Sequence, residues 1–316
     1  MHRIDGPGAT VDNRFTDGDP VGGVQATMVT DDWMNDVQEE LISILAAGSI
    51  TPVKGVQNQV LTAISALIRS IGAGLVGSSR NAKMTVPTAS ATATFTADEL
   101  ILEASLGGSS YRLASFSQVI NLAINGPGGM DTGSAPLGGY VAIYALCNTT
   151  GSTRALLATN ATSAVQPEVY AGNLFGYSAS ALVGVWPTDA TGKFAVGSQI
   201  GRWVIRLPVP IINTSTVQVA YASLGVASAI PRNARRAKLI MSGINTTPNT
   251  VQLLSLASDA SGCGAQNMTS GVVLSGNGNS CNGLLEISTA QTMFYRSANT
   301  GGGTPTFNAD ISGYEF

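Results

Sequence analysis

Histidine, cysteine and charged side chains are all scarce in this chain. Its 316 residues contain one histidine, His2, and three cysteines, and only 11% of the residues are charged. A Ser-His-Asp or Cys-His catalytic group needs a histidine base, and a structural zinc site needs several Cys or His ligands. The single histidine therefore argues against both kinds of site, unless the N-terminal segment that carries it folds into one. We expect no metal, no cofactor and no enzymatic activity.

Long apolar runs and strong net charge are also missing. No stretch approaches the ~18 apolar residues of a membrane span. The start, MHRIDGP, lacks the apolar segment of a secretory signal. A net charge of −3 gives no bulk attraction to nucleic acid. We therefore expect synthesis in a cytoplasm, with neither membrane insertion nor a nucleic-acid partner.

The three cysteines leave two redox states open. Cys263 and Cys281 flank a Gly-, Ser- and Asn-rich stretch, where they would face each other across a hairpin. A disulfide there needs an oxidising exterior, and cytoplasmic assembly favours the free thiols that we expect. Cys147 ends an apolar strand and is expected to be a small buried side chain.

Small residues make up much of what is present. The chain has 37 glycines, and Ala, Ser, Thr and Asn are abundant around them. Such a composition suits a β-rich protein with many turns. It also suits a multimer that hides much of each protomer against its neighbours, because few charges usually mean few solvated helix faces. We favour the multimer.

The N-terminal quarter changes character at Thr30. Residues 1–29 hold Gly, Pro, Asp, Thr and Asn without a periodic apolar stripe, which predicts an extended arm with no core of its own. Thr30 is a good N-cap for a helix that Gly48 ends. Thr51 and Pro52 predict a second helix start. Residues 30–77 are therefore expected to be a helical oligomerisation region.

Apolar residues at helical spacing predict how this region associates. An isolated helix of this length is marginal in water, so it needs a partner, either its own domain or copies of itself. We favour a short self-associating bundle, whose number of strands the sequence does not fix. In the second helix the apolar steps of four, three and four form an a/d pattern over about two heptads. The predicted oligomerisation residues are Trp33, Val37, Leu41, Val60, Ile64, Leu67 and Ile71.

From Met84 onward the pattern is typical of β-strands separated by turn clusters. This spacing, without long helical patterns, predicts antiparallel β-sandwich domains. Two prolines in LPVPIINTSTV, residues 207–217, suggest a boundary between a first β domain, 78–210, and a distal one, 211–316. The predicted strands are 91–105, 140–146, 181–186, 203–207, 217–222, 238–241, 251–256, 272–274, 284–287 and 293–296.

Two polar sets are the strongest candidates for chemistry or binding. The carboxylates of Asp131, Glu168, Asp189, Asp259, Glu286 and Asp310 are scattered singly, so glycan cleavage by a carboxylate pair is the less favoured interpretation. The basic cluster IPRNARRAK, 230–238, is either a patch for phosphate or acidic sugars or, as we favour, a solvated loop. Asn side chains at 275–282 suit sugar hydroxyls or simply tight turns.

Several sequence motifs resemble those of one class of protein. RIDGPGAT, FTDGDP, ATMVT and DDWMNDVQEEL together resemble the N-terminus of tailed-phage tail fibres. Residues 78–104, GGMDTGSAPLGGYVAIYALCNTTG and ASALVGVWPTDATGKF are similar to the β domain of fibres from transposable and related long-tailed phages of Pseudomonas-like hosts. The last hundred residues match less clearly.

The resemblance implies a fold and a function. It implies a homotrimeric virion protein whose arm attaches to the baseplate or tail hub and whose distal β domain binds a host receptor, a pilus or lipopolysaccharide. The alternatives are a polysaccharide-cleaving tailspike and a purely structural baseplate component. The expected attachment residues are Ile4, Asp5, Gly6, Pro7 and Phe15, and the expected receptor-binding residues are Asn277, Asn279, Asn282 and Arg296.

Overall fold

The structure, a computed structural model, describes residues 2–71, 74–272 and 278–316. It has two compact units, Met1–Ala73 and Gly74–Phe316. The first contains two helices and the second is a β structure. The predicted receptor residue Asn277 and most of the predicted strand at 272–274 lie outside the described residues.

The first helix, α1, spans Asp31–Ala47 and is capped as the sequence predicts. Thr30 has extended backbone, and its hydroxyl accepts a hydrogen bond from the Trp33 N–H. The carboxylates of Asp31 and Asp32 lie in the first turn, where they complement the helix dipole. Gly48 follows the last helical residue, and its N–H donates to the Ile44 carbonyl.

The second helix, α2, spans Gln59–Ile71, so the predicted start at Thr51 and Pro52 is wrong. The Gln59 side chain explains the later start. Its amide oxygen accepts from the Val53 N–H, and its amide nitrogen donates to the Val53 and Val56 carbonyls. These bonds hold the preceding residues in a loop, which competes with helix formation there.

A small contact joins the two helices. Ala63 is fully buried, and a Cβ atom placed on Gly48 would lie 2.7 Å from the Ala63 Cβ. Leu45, in the last turn of α1, is buried too. Only glycine allows the end of α1 to approach α2 this closely. The two helices therefore pack against each other within one protomer, through a limited area around Gly48 and Ala63.

The predicted extended arm is wrong in conformation. Residues 2–29 contain no helix or strand, but the segment folds back on itself: the Met28 N–H donates to the Pro7 carbonyl and the Thr27 N–H to the Thr16 carbonyl. Ile4 is only 2% exposed. Residues 2–29 need no periodic apolar stripe of their own because the segment packs on apolar side chains of α1. Phe15, for example, contacts the Trp33 ring edge-on, with 5.1 Å between the ring centroids.

The described residues of the second unit form sixteen strands in two sheets. A twelve-stranded sheet has the order β14-β11-β16-β9-β8-β2-β3-β7-β5-β6, with β1 and β4 also paired to β3, and a four-stranded sheet has the order β10-β15-β12-β13. The pairings between these strands are antiparallel, as predicted. The strands are β1 Ser79–Arg80, β2 Lys83–Val86, β3 Thr92–Glu103, β4 Ser110–Asn121, β5 Tyr140–Cys147, β6 Arg154–Asn160, β7 Ala179–Pro187, β8 Gly197–Ile200, β9 Trp203–Thr214, β10 Ala222–Gly225, β11 Arg236–Asn245, β12 Thr250–Ala257, β13 Gln266–Val272, β14 Gly278–Glu286, β15 Thr292–Thr300 and β16 Pro305–Glu315.

The inner face of the large sheet carries the core. Strands β5 and β7 are buried along their whole length, which explains their continuous apolar sequences. The four-stranded sheet covers the inner face of β11, since a Cβ on Gly243 would lie 2.7 Å from both the Gln252 amide oxygen and the Met268 methyl. The two sheets therefore contact each other at this end, and the sandwich expected from the sequence stays a prediction.

The segment that was predicted to separate two β domains forms one continuous strand. β9 runs through Pro208 and Pro210, so residue 210 lies inside it. Both prolines are exposed, and the pairing of β9 with β16 shifts register at Ala309/Asp310 and at Ile311/Gly313. These shifts accommodate residues that have no N–H to donate. The predicted strand at 217–222 is wrong: the Gln218 N–H donates instead to the Ser297 hydroxyl.

Candidate functional site

The helix stripe, which we define as Leu61, Ile64 and Ile68, is an exposed apolar row on α2. Leu61, Ile64 and Ile68 are 68%, 41% and 65% exposed, respectively. The spacing of i, i+3 and i+7 places them on one helix face. Ala63, which faces α1, projects from the opposite side. The stripe therefore has no partner among the described residues of the first unit.

The predicted oligomerisation residues are divided between this stripe and the helix–helix contact. Ile64 lies in the stripe and Leu41 is 44% exposed on α1. Trp33, Val37, Val60 and Leu67 are half-buried, and the side chain of Ile71 is not described. Leu61 and Ile68 were missed, although the same spacing read one residue later in the sequence identifies them.

The predicted attachment residues hold the folded-back segment together. A Cβ on Gly6 would lie 2.6 Å from the Met28 carbonyl oxygen, so only glycine fits there. Ile4 is buried, Pro7 accepts the Met28 N–H, and Phe15 packs on Trp33. Their role in attachment stays a prediction.

The His2 imidazole joins the N-terminus to α1. Its Nδ1 lies 2.7 Å from the Asp36 carboxylate, and its Nε2 lies 3.4 Å from that of Asp5. The hydrogen bond with Asp36 is the main reason that the pKa of His2 is raised, and the same bond lowers the pKa of Asp36. The contact is solvent-accessible. It suits a structural link between the N-terminal segment and α1 rather than a catalytic base.

The sheet groove is a shallow cavity of about 780 Å³ on the outer face of the twelve-stranded sheet. We define it by Trp203 and Ile205 of β9, Lys238 of β11, Gln266 of β13, and Asn282, Gly283 and Leu284 of β14. Asn282 is the one described residue of the predicted receptor set that lines it.

The strand register explains why this groove exists. Leu284 pairs with Lys238, Lys238 with Gly313, and Gly313 with Ile205, so the four residues form a row across β14, β11, β16 and β9. Gly313 contributes no side chain to the row. A Cβ there would lie 2.8 Å from the Val204 carbonyl oxygen, which makes glycine necessary. The gap at Gly313 separates the apolar walls.

The next row of the sheet is closed by charge pairing. Glu286, Arg236 and Glu315 lie side by side on β14, β11 and β16. The Arg236 guanidinium contacts the Glu286 carboxylate at 3.0 Å and that of Glu315 at 3.3 Å. Arg236 is thereby paired with two carboxylates. In the rest of the basic cluster at 230–238, Arg235 lies 3.6 Å from Glu168, Lys238 lines the groove and Arg232 is exposed.

Three polar groups in the sheet groove have no protein partner within the described part of the chain. They are the indole N–H of Trp203, the ammonium of Lys238 and the side-chain amide of Asn282. Hydrogen-bonding groups without a protein partner are available to a ligand. The remaining predicted receptor residues lie elsewhere: the Arg296 guanidinium is 5.2 Å from the Tyr221 ring, and the Asn279 side chain is not described.

The candidate carboxylates are largely engaged within the protein. Glu168 makes two hydrogen bonds with the Arg202 guanidinium, of 2.8 and 3.0 Å. The Asp131 carboxylate accepts from the Tyr170 hydroxyl at 2.8 Å. Asp189 and Asp259 accept backbone N–H groups in turns, which lower their pKa values. Both oxygens of Glu168 are committed to cationic partners, a poor arrangement for a general base.

Metal and membrane sites are not evident in the described ranges. No group of three or more His, Cys, Asp or Glu side chains in residues 2–71, 74–272 and 278–316 is placed to hold a metal ion. Over the same ranges, no helix has the length and apolar character needed to cross a membrane. Cys147, Cys263 and Cys281 are free thiols, and Cys147 is buried as expected.

Comparison with known proteins finds a sequence similarity over part of the chain. No protein-family model matches the chain. An Escherichia coli K12 protein named "Uncharacterized protein StfP" is 42% identical over 76 residues, which are 22% of this chain and 36% of that protein. The chain thus spans about a third of the length of this curated relative. Its name assigns it no activity.

Solved structures add nothing to this. An exo-β-1,3-galactanase of Phanerochaete chrysosporium is 10% identical, with 72% of this chain and 55% of that chain covered and a TM-score of 0.21. A Bacillus thuringiensis Cry1Da tryptic core variant is 7% identical, with 78% and 53% covered and a TM-score of 0.21. Scores this low indicate neither a shared fold nor a shared activity.

Proposed function

We propose that this protein is a homotrimeric, non-enzymatic tail fibre of a bacteriophage virion. Its N-terminal segment attaches to the baseplate or tail hub, and its distal β region binds a host surface receptor. The supporting sequence evidence is the set of N-terminal and β-region motifs that resemble tail fibres, together with the partial similarity to StfP. The physical support is an exposed apolar surface on α2 that suits self-association.

The observation that carries the proposal is the helix stripe. Three large apolar side chains on one face of a thirteen-residue helix have no partner among the described residues of their own unit. A helix this short is marginal alone, and burial against copies of itself removes the apolar area from water. Self-association aligns several identical distal regions, so that weak individual sites act together through avidity.

The first test is the mass of the full-length chain in solution, measured by light scattering after size exclusion. The proposal expects a mass near three times 32.3 kDa. A monomer at micromolar concentration would contradict the trimer.

The second test is competition with phage adsorption. Purified trimer should bind host cells and reduce adsorption of phage that carries this fibre. A trimer that neither binds cells nor blocks adsorption would instead indicate a purely structural baseplate component. Release of reducing sugar from host glycans would indicate a tailspike, in contradiction to the non-enzymatic part of the proposal.

A further inference from the structure

The sheet groove has the dimensions and lining of a site for a small ligand. Its volume of about 780 Å³ lies within the roughly 300–1,000 Å³ of typical ligand pockets. Such pockets combine apolar walls with a few polar groups that fix orientation. Here Ile205 and Leu284 supply apolar wall, and Lys238 and Asn282 supply polar groups.

Trp203 favours a flat ligand with one apolar face. The indole is half-buried, so part of its surface remains open to the groove, and its N–H has no protein acceptor among the described residues. A large aromatic side chain offers rigid apolar area together with a hydrogen-bond donor. A pyranose ring matches both, because its C–H groups form an apolar face and its hydroxyls surround the edge.

Lys238 adds a preference for negative charge. Its neighbour Arg236 is neutralised by Glu286 and Glu315, but the Lys238 ammonium, one row further along the sheet, makes no ion pair in the described part of the chain. Covering an ammonium with apolar protein surface incurs a large desolvation cost, whereas an anionic ligand supplies the missing partner. This asymmetry favours an acidic ligand over a second copy of the chain.

The amides complete the pattern. Asn282 has an uncommitted side-chain amide, and Gln266 makes one long bond, of 3.3 Å, to the Gly264 carbonyl. Each amide offers both a donor and an acceptor, as a sugar hydroxyl requires. A ligand that carries hydroxyls beside one carboxylate or phosphate group would therefore be matched by the two amides and the single ammonium of the groove.

We infer that the sheet groove binds an acidic oligosaccharide, with a pyranose ring against Trp203 and its anionic group on Lys238. The inference rests on the proposed function, because it gives the chemical class of the receptor. Asn282 hydrogen-bonds ring hydroxyls, and Ile205 and Leu284 contact C–H groups of the sugar.

The test follows Trp203 fluorescence in the full-length chain. A Trp203→Phe variant gives the signal of the other two indoles, Trp33 and the fully buried Trp186, which is subtracted. The acidic probes are tetragalacturonate, tetramannuronate and 6-phosphorylated mannotetraose, and the neutral probe is mannotetraose. The hexuronates and the phosphorylated sugar separate carboxylate from phosphate as the anionic group. We expect at least one acidic probe to shift Trp203 emission saturably, and more tightly than mannotetraose.

Matched charge removals locate the site. Lys238→Gln should weaken binding about tenfold or more, as expected for loss of a charge-assisted hydrogen bond. Lys83→Gln removes an exposed ammonium from β2 and should leave affinity unchanged. Raising NaCl to about 0.5 M should weaken binding of the wild type more than that of Lys238→Gln. A urea unfolding midpoint for each variant checks that the fold is intact.

Two results would overturn the inference. One is the absence of any emission shift with all three acidic probes at millimolar concentration. The other is equal affinity of the Lys238→Gln and Lys83→Gln variants. The proposed function and the groove inference fail through different results. A trimer whose binding to host cells is unaffected by Lys238→Gln would keep the proposed receptor role but contradict the groove as the receptor site. A monomer that binds acidic sugar through Lys238 would keep the groove as a sugar site but contradict the trimeric fibre.

Discussion

Replacing Ile64 by Asp should dissociate the protein, and the structure gives the size of the effect. Full burial of a Leu or Ile side chain is worth about 1.5–3 kcal/mol. Leu61, Ile64 and Ile68 are 68%, 41% and 65% exposed. Covering that remaining area therefore contributes about 1–2 kcal/mol for each side chain and about 3–5 kcal/mol for each protomer.

The Ile64→Asp substitution removes about 1 kcal/mol of this burial and adds the desolvation of a carboxylate, which is several kcal/mol for an unpaired buried charge. A total near 4 kcal/mol for each protomer lowers the association constant by a factor of about a thousand per protomer. Light scattering with sizing over a concentration series should show a mass near 32.3 kDa for the variant where the wild type stays near three times that value.

The control is Thr62→Asp on the same helix. Thr62 is exposed, and its hydroxyl donates to the Asn58 carbonyl within the first turn, away from the stripe. An added carboxylate near the N-terminus of α2 complements the helix dipole, so this variant should keep the wild-type mass. If Ile64→Asp also keeps that mass at the lowest concentration, the helix stripe is not the association surface.

Three further predictions concern single side chains. His2 gives the only histidine Cε1 resonance in NMR, and the pKa that this resonance reports should fall toward the ordinary value in Asp36→Asn. The hydrogen bond between His2 and Asp36 contributes stability that is lost as pH rises through the raised pKa of His2. The same stability is lost as pH falls through the lowered pKa of Asp36. Arg202→Leu removes two short hydrogen bonds to Glu168, which keeps Arg235, at 3.6 Å, as a cationic partner, and it frees the Phe316 carbonyl. It should lower the free energy of unfolding by about 2–4 kcal/mol in urea titration; no change would show that these bonds contribute nothing net. Burial raises the pKa of Cys147 to about 11, so a thiol reagent at neutral pH should label it only in denaturant while Cys263 reacts in the native state.

Strands buried on both faces were the most predictable part of the fold. The apolar runs at 140–146 and 181–186 correspond to β5 and β7 with ends within two residues. The strands β1, β2, β4, β6, β8 and β16 were missed. In β4 and β16, Ser, Thr and Asn are interspersed with small apolar residues, and such a sequence is also typical of turns. Tertiary pairing, rather than local propensity, makes these segments strands.

Proline gave the wrong indication in β9. A proline cannot donate to a ladder, so two of them in five residues ordinarily argue against a paired strand. The shifted register opposite β16 leaves both prolines exposed, and the strand continues past them to Thr214. The position of such a shift depends on the partner strand, ninety residues away in sequence, and no local pattern reports it.

The candidate site depended on the same kind of long-range pairing. Leu284, Lys238, Gly313 and Ile205 come from four strands, and none of them has a neighbour in the sequence that marks it as a ligand residue. Their outward direction follows from alternation within each strand, which can be predicted, but their common row follows from register, which cannot. Asn282 was expected to bind because it follows a turn-rich stretch, whereas the structure places it in the groove because it lies two residues from Leu284 on the same face of β14. Charge pairing then distinguishes two cations of the basic cluster. In the sequence, Arg236 and Lys238 are equivalent members of that cluster. In the structure, two glutamates pair with Arg236, so of these two cations it is Lys238 that is available to a ligand.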